Sequence, residues 1–142
     1  MDQIKLTYDT DPVDWSDLAE VYRRAPLCDP GSDKLQRAYE NSAVCCFAYR
    51  ETELVGAGRA ISDGVNFATV CELVVAPEYQ KGGIGRSIME EDMLERLAVP
   101  KVILACVHGQ EGLYRKLGFL KHKSVLALYE DSEWFKENGY LE

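Results

Sequence analysis

Basic charge is scarce in this chain. Sixteen Lys and Arg stand against 24 Asp and Glu, a formal net charge of −8 over 142 residues. Phosphate backbones are bound by clustered Lys and Arg, so no nucleic-acid partner is expected. The acidity is compatible with a cationic acceptor such as an amine. Long apolar runs are missing too, and none approaches a membrane span, so no membrane is expected. Histidine is limited to His108 and His122, and cysteine to Cys28, Cys45, Cys46, Cys71 and Cys106. Five is odd, no C-x-x-C occurs and two are adjacent, which is neither a disulfide framework nor a zinc pattern. No metal is expected, and the cysteines read as small buried apolar residues rather than nucleophiles. The opening Met1-Asp2-Gln3-Ile4-Lys5 lacks the basic-then-apolar layout of a signal peptide, so a cytoplasmic location is expected. With no repeat and no low-complexity stretch, 46% apolar and 28% charged residues predict one domain, 1–142, with a real core.

The periodicities predict a mixed order of elements. Ile4 to Tyr8 alternates as a half-buried strand does. Trp15 to Arg24 has helical spacing with Asp14 as cap, and Lys34 to Glu40 reads as a second helix capped by Ser32 or Asp33. Between them, Ala25 to Gly31 holds two prolines and a glycine and reads as a loop. Ala43–Arg50, Leu54–Ile61 and Phe67–Val75 read as three strands joined by turns at Glu51-Thr52 and Ser62-Asp63-Gly64, an antiparallel meander. Gly56 and Gly58 allow close packing or a bulge. A helix follows to Leu97 and ends before Val99-Pro100. Lys101 to Val107 is then a buried strand, parallel to the one before that helix because a strand-helix-strand crossover joins them. A helix over Gln110–Leu117 ends at Gly118. A last strand over Ser124–Tyr129 and a short helix around Trp134 and Phe135 complete the chain.

The stretch Glu72–Arg86, ELVVAPEYQKGGIGR, organises the rest. An apolar strand ends at Ala76-Pro77, and a glycine-rich turn leads into the helix. Helix starts leave backbone N–H groups unpaired and carry partial positive charge, and glycines let a phosphate come close. Neither G-x-G-x-x-G nor G-x-x-x-x-G-K-[ST] is present, so the dinucleotide and P-loop fingerprints are excluded. What is present is Gln80-x-x-Gly83-x-Gly85 directly after the strand. A glycine turn with no ligand is the plain alternative.

This pattern resembles the acetyl-CoA motif of the GNAT N-acetyltransferase superfamily. Leu113-Tyr114-Arg115-Lys116-Leu117-Gly118-Phe119 resembles that superfamily's second landmark, in the same order along the chain. The resemblance implies an α/β (α+β) fold with a mixed, mostly antiparallel sheet flanked by helices, its parallel strands splayed at the cofactor site. It implies that backbone amides of Lys81, Gly82, Gly83, Ile84, Gly85 and Arg86 hold the pyrophosphate of acetyl-CoA, with Gln80 part of the motif. The side chains of Lys81 and Arg86 either add charge there or are solvated surface. The pantetheine arm is expected along Leu73, Val74 and Val75. The region of the first two helices and their loop is expected to shape the acceptor pocket. Partners are then acetyl-CoA and an amine acceptor, with a homodimer left open.

Acyl transfer to an amine also needs a proton removed and a thiolate received. A lysine-like amine titrates at roughly 10.4, so its deprotonation at pH 7 costs about 4.6 kcal/mol. Glu72 is the nearest candidate base, the alternative being a solvated or ion-paired carboxylate. Strand alternation sets Thr69, Cys71 and Leu73 on one face and Val70, Glu72 and Val74 on the other, and a bulge would re-aim Glu72. The resemblance assigns proton donation to Tyr114, against a core aromatic. The pattern departs from many superfamily members at Val107, where they carry an Asn. The expected activity is acetyl transfer to a primary amine of a small molecule, directly in a ternary complex. A protein lysine or N-terminal acetyltransferase, and a non-catalytic acyl-CoA-binding module, are the alternatives.

Overall fold

A computed structural model describes residues 3–25, 27–107 and 110–142. Pro26 of the expected loop and the His108-Gly109 pair lie outside the described residues, as do Met1 and Asp2. Contacts divide the chain into two compact units, 1–105 and 106–142.

The first unit is built on a five-stranded sheet in sequential order, β1-β2-β3-β4-β5. The strands are β1 (Ile4–Thr7), β2 (Val44–Arg50), β3 (Glu53–Ser62), β4 (Phe67–Val75) and β5 (Lys101–Leu104). The first four pair antiparallel, and β5 joins β4 in parallel. The Ser62-Asp63-Gly64 turn closes through Asp63 Oδ1, which accepts from the N–H groups of Val65, Asn66 and Phe67 at 2.8, 2.8 and 3.1 Å.

Two helices, α1 (Trp15–Arg24) and α2 (Ser32–Glu40), cover one face. Asp14 Oδ1 accepts from the N–H groups of Ser16 and Asp17 at 3.0 and 3.2 Å, the expected cap. The second helix starts one residue earlier than expected in cap terms, with Gly31 in the cap position at φ 85°. Their apolar faces bring Leu18, Val21, Tyr22, Leu35 and Tyr39 into a core with Phe47, Ala57 and Val74 of the sheet.

The opposite face carries the helix after the glycine turn. It begins as α3 (Ile84–Ser87), widens to π-helical turns over Ile88–Leu94 and closes as α4 (Glu95–Leu97). Ala98, at φ 47°, ends it in the left-handed region. The helix sits tightly on β3. A Cβ on Gly58 would lie 2.7 Å from Met93 Sδ and 3.0 Å from Ile88 Cγ2, and one on Gly56 would lie 3.0 Å from the Val74 carbonyl oxygen. The two glycines therefore serve close packing, as their place in the strand suggests. Asp92, fully buried in the π-helical turns, accepts from Arg96 Nη1 at 3.1 Å.

The second unit holds α5 (Glu111–Lys116) and α6 (Ser132–Glu137). Gly118, at φ 97°, ends α5; the Gly118 N–H donates to the Arg115 carbonyl and that of Phe119 to Tyr114. Tyr129, Trp134, Phe135 and Tyr140 gather around α6, with Tyr129 stacked on Phe135 at 4.1 Å. Ser124–Tyr129 does not form the expected strand. Its alternation is real, but no ladder partner pairs with it among the described residues, and Leu126 and Leu128 are exposed. A strand exists only as half of a pair, so the pattern alone did not suffice. No described helix is long and apolar enough to cross a membrane.

Candidate active site

The parallel pairing of β4 with β5 begins at Phe67–Lys101 and stops at Val70–Leu104. Strand β4 continues for five more residues, through Val75, on its β3 partner alone. The edge of Cys71–Val75 on the β5 side is thus free of that strand, which is the splay expected at a cofactor arm. Buried backbone groups need partners, so such an edge is a place for an extended ligand.

The open edge runs directly into the glycine turn. A 3-10 turn, Pro77–Tyr79, reverses the chain. Gln80 Nε2 donates to the Val75 carbonyl at 2.9 Å, tying the turn to the end of β4. Glu78 pairs with Arg24 of α1, and the Tyr79 hydroxyl bridges Arg50 and Glu53. Lys81 takes a left-handed conformation, φ 68°, rare for a residue with a side chain, and Gly83 does so at φ 89°. Ser87 N–H donates to the Gly83 carbonyl at 3.0 Å and closes the first helical turn. The N–H groups ahead of it are the ones a helix start leaves without intrahelical partners. Arg86 pairs with Glu90 at 2.9 Å on the surface, so its charge is shared. A space with no atom within 4 Å of a Cβ on Gly83 fits an anion approaching the backbone.

Glu72 lies on the open part of β4, directly after a bulge. Arg59 pairs with Glu72 while Ala60 pairs with Val70, so Cys71 is an extra residue on β4. Val70 and Glu72 face opposite sides of the sheet as a result, where simple alternation had put them together. Val70 falls on the side of Gly58 and the cradle helix. Glu72 and Val74 fall on the side of α1 and α2.

There Glu72 meets three residues the sequence did not single out for the site. Arg59 Nε donates to Glu72 Oε1 at 2.8 Å, and the Tyr22 hydroxyl donates to the same oxygen at 2.9 Å. The Tyr22 and Tyr39 hydroxyls are 2.8 Å apart. Arg59 also reaches Ser42 Oγ at 3.5 Å, and its guanidinium lies 5.9 Å from the centre of the Tyr39 ring. Burial opposes the charge on Arg59, but the hydrogen bond and charge of Glu72 outweigh it and raise its pKa. Burial, then the neighbouring Tyr39 and Glu72, push the Tyr22 phenol far up. Burial dominates in raising Tyr39 as well. Both tyrosines are neutral hydrogen-bond donors over the whole working range. Cys28, in the loop between α1 and α2, has its thiol pushed up to about 11, first by burial and then by the charge of Glu72. Glu72 therefore lies on the α1 side of the sheet, bonded to Tyr22.

Tyr114 belongs to the second unit. It sits on α5 against Phe119, ring centres 5.9 Å apart and nearly perpendicular. Burial, then Cys106, pushes its phenol up to about 12. It is a firm proton holder and a good hydrogen-bond donor. Against a thiol near 8.5, full proton transfer from it is steeper than an ordinary tyrosine would require. The five cysteines are free; Cys45 and Cys46 are buried as expected, whereas Cys28 is exposed and Cys71 and Cys106 are only half-buried.

An antiparallel sheet with one parallel strand along part of β4, feeding a glycine turn at a helix start, is the arrangement in hand. Residues 41–121 match the model of the acetyltransferase (GNAT) domain, more than half of the chain, and the chain belongs to that family. It is 33% identical over 113 residues to serotonin N-acetyltransferase 2, chloroplastic, of Oryza sativa subsp. japonica, covering 75% of this chain and 56% of that one. The chain thus spans little more than half the length of that relative. A GNAT-family acetyltransferase structure from Streptococcus pneumoniae superposes with a TM-score of 0.73 at 25% identity, covering 90% of this chain and 99% of the other. A protein of unknown function from meticillin-resistant Staphylococcus aureus superposes at 0.79 with 24% identity, over 89% and 98%. The family and the mixed, mostly antiparallel fold are those the two sequence landmarks implied.

Proposed function

We propose that this acetyltransferase takes its acetyl group from acetyl-CoA and passes it to a primary amine of a small molecule. The observation that carries the reading is the continuity of the open β4 edge, Cys71–Val75, with the glycine turn that follows it. One extended ligand with an amide-bearing arm and a pyrophosphate suits both. Leu73, Val74 and Val75 would hold the arm through their backbone, and the amides of Lys81 to Arg86 the pyrophosphate. Gln80 fixes the turn from behind. When bound, acetyl-CoA supplies an activated acetyl thioester. Glu72 receives the proton of the acceptor, and the Tyr114 hydroxyl donates a hydrogen bond to the departing sulfur. Support for an amine acceptor comes from the carboxylate of Glu72 on the α1 side of the sheet and from the net charge of −8. The rice relative's name, which specifies serotonin, an aryl ethylamine, favours a small molecule over a protein.

The test is thiol release from acetyl-CoA with a panel of primary amines and, separately, a set of peptides with free N-termini and lysines. Release with amines and none with peptides is expected. Release with peptides alone would overturn the small-molecule acceptor, and release with neither would overturn catalysis.

A further inference from the structure

Among the described residues, Tyr22, Glu72 and Arg59 form a half-buried polar cluster outside the cradle. Its bonds are lopsided. Both donors, Tyr22 Oη at 2.9 Å and Arg59 Nε at 2.8 Å, converge on Glu72 Oε1. No hydrogen bond reaches Oε2 among the described residues. The Glu72 side chain keeps 23% of its surface exposed, and that of Arg59 17%. Arg59 is anchored in turn by Ser42 and by the Tyr39 ring, and Tyr22 by the Tyr39 hydroxyl.

A carboxylate on a strand has three rotatable bonds. Arg–carboxylate pairs are frequently bidentate, and this one uses a single oxygen. Here Glu72 lies on the α1–α2 side with Val74, and two donors, from β3 and α1, pin one oxygen.

We propose that Tyr22 and Arg59 are positioning residues that clamp Glu72 Oε1 so that Oε2 takes the proton of the acceptor amine. This rests on the amine-acetylation reading above. The substrate enters as an ammonium ion. Its N–H bond breaks, the proton goes to Oε2, and the electron pair stays on nitrogen as the nucleophile. Tyr39 acts one step further back, holding Tyr22. The clamp fixes the oxygen within reach of a nitrogen without itself touching substrate. General acid–base effects depend on such placement as much as on proton affinity.

The experiment compares the wild type with Tyr22→Phe, Arg59→Lys and Arg59→Ala on a series of amines of falling pKa. Tyr22→Phe strands the Tyr39 hydroxyl, so the double variant Tyr22→Phe/Tyr39→Phe, which replaces the pair by like shapes, controls for folding. Expected is a drop in kcat of about tenfold or more for strongly basic amines in both tyrosine variants, the loss of a hydrogen bond to a charged group. Acetyl-CoA affinity by calorimetry and the KM for amine should hold. The deficit should shrink toward none for weakly basic amines, which arrive already deprotonated. Arg59→Lys should keep more of the rate than Arg59→Ala. An equal deficit at every amine pKa, or no deficit in a wild type that turns over, would overturn the clamp. A wild type that binds acetyl-CoA and releases thiol with no amine would instead sink the acetylation reading, and the clamp with it.

Discussion

Arg59 and Glu72 sit opposite each other on β3 and β4 with Arg59 Nε 2.8 Å from Glu72 Oε1, on the face they share with Tyr22, and the extra residue at Cys71 leaves Val70 on the other face. Glu72 shares its face with Val74 by plain alternation, in unbroken register with Arg59 and Ala57 of β3.

Replacing Glu72 by Gln keeps the shape and removes the proton acceptor. The expected result is a kcat for strongly basic amines lower by about 10²- to 10⁴-fold, the usual worth of a general base. Acetyl-CoA binding should be unchanged, because the proposed cofactor groups on β4 are backbone. Steady-state kinetics beside calorimetry checks both halves.

Gly58 has no room for a side chain. Gly58→Ala sets a methyl against Met93 Sδ and Ile88 Cγ2. Met93 can yield at its flexible end, while Ile88 is branched and stiff. Overpacking of this kind costs about 1–3 kcal/mol, to be read from the midpoint of urea unfolding.

The glycine turn should answer differently at its two left-handed residues. Gly83→Ala, at φ 89°, is expected to cost about 1–2 kcal/mol. Lys81→Gly at φ 68° relieves strain of similar size but adds freedom to the unfolded chain, so its stability should stay within about 1 kcal/mol of wild type. Thermal melts separate the two. Acetyl-CoA affinity in Lys81→Gly then reports whether the lysine charge contributes to binding or is only solvated.

Tyr114 should keep its proton well into alkali. The folded phenol titrates at about 12 against an ordinary 10.0. The folded form holds the proton that the unfolded form loses, so the associated stability is present below pH 10 and is lost as pH rises from 10 toward 12. Spectrophotometric titration of phenolate, wild type against Tyr114→Phe, should assign a late-titrating tyrosine to this position. Turnover in Tyr114→Phe should fall while acetyl-CoA affinity holds.

The elements that could be read from the chain were those written locally. Asp14 before an apolar-periodic run, Gly118 after one, and a strand ending in Pro77 ahead of Gly82-Gly83 each act within a few residues, and each is found as expected. A bulge near Glu72 was named from the sequence, but its place at Cys71 was not legible, because alternation counts residues and nothing local marks the one that is inserted. The clamp was half legible. Arg59 stands inside the apolar strand Leu54–Ile61, and a charge there needs a partner, but nothing local names Glu72. Tyr22 reads as one more apolar residue on α1, since a hydroxyl at the end of a ring is hidden in a hydrophobic pattern. Asp92 gave a similar unheeded signal, an acid on the buried side of the cradle helix. Ser124–Tyr129 erred the other way, with a strand pattern and no partner strand.

The most direct test of the central claim is a thermal melt of the chain with and without acetyl-CoA, with NAD and ATP as controls. At about a hundred times Kd, binding adds about 2.7 kcal/mol, a rise on the order of 10 °C for a domain of this size. A rise with acetyl-CoA that the controls do not give is the result predicted by an open β4 edge running into an anion-binding turn. No rise at millimolar acetyl-CoA would contradict the cofactor site, and with it the roles proposed for Glu72 and Tyr114.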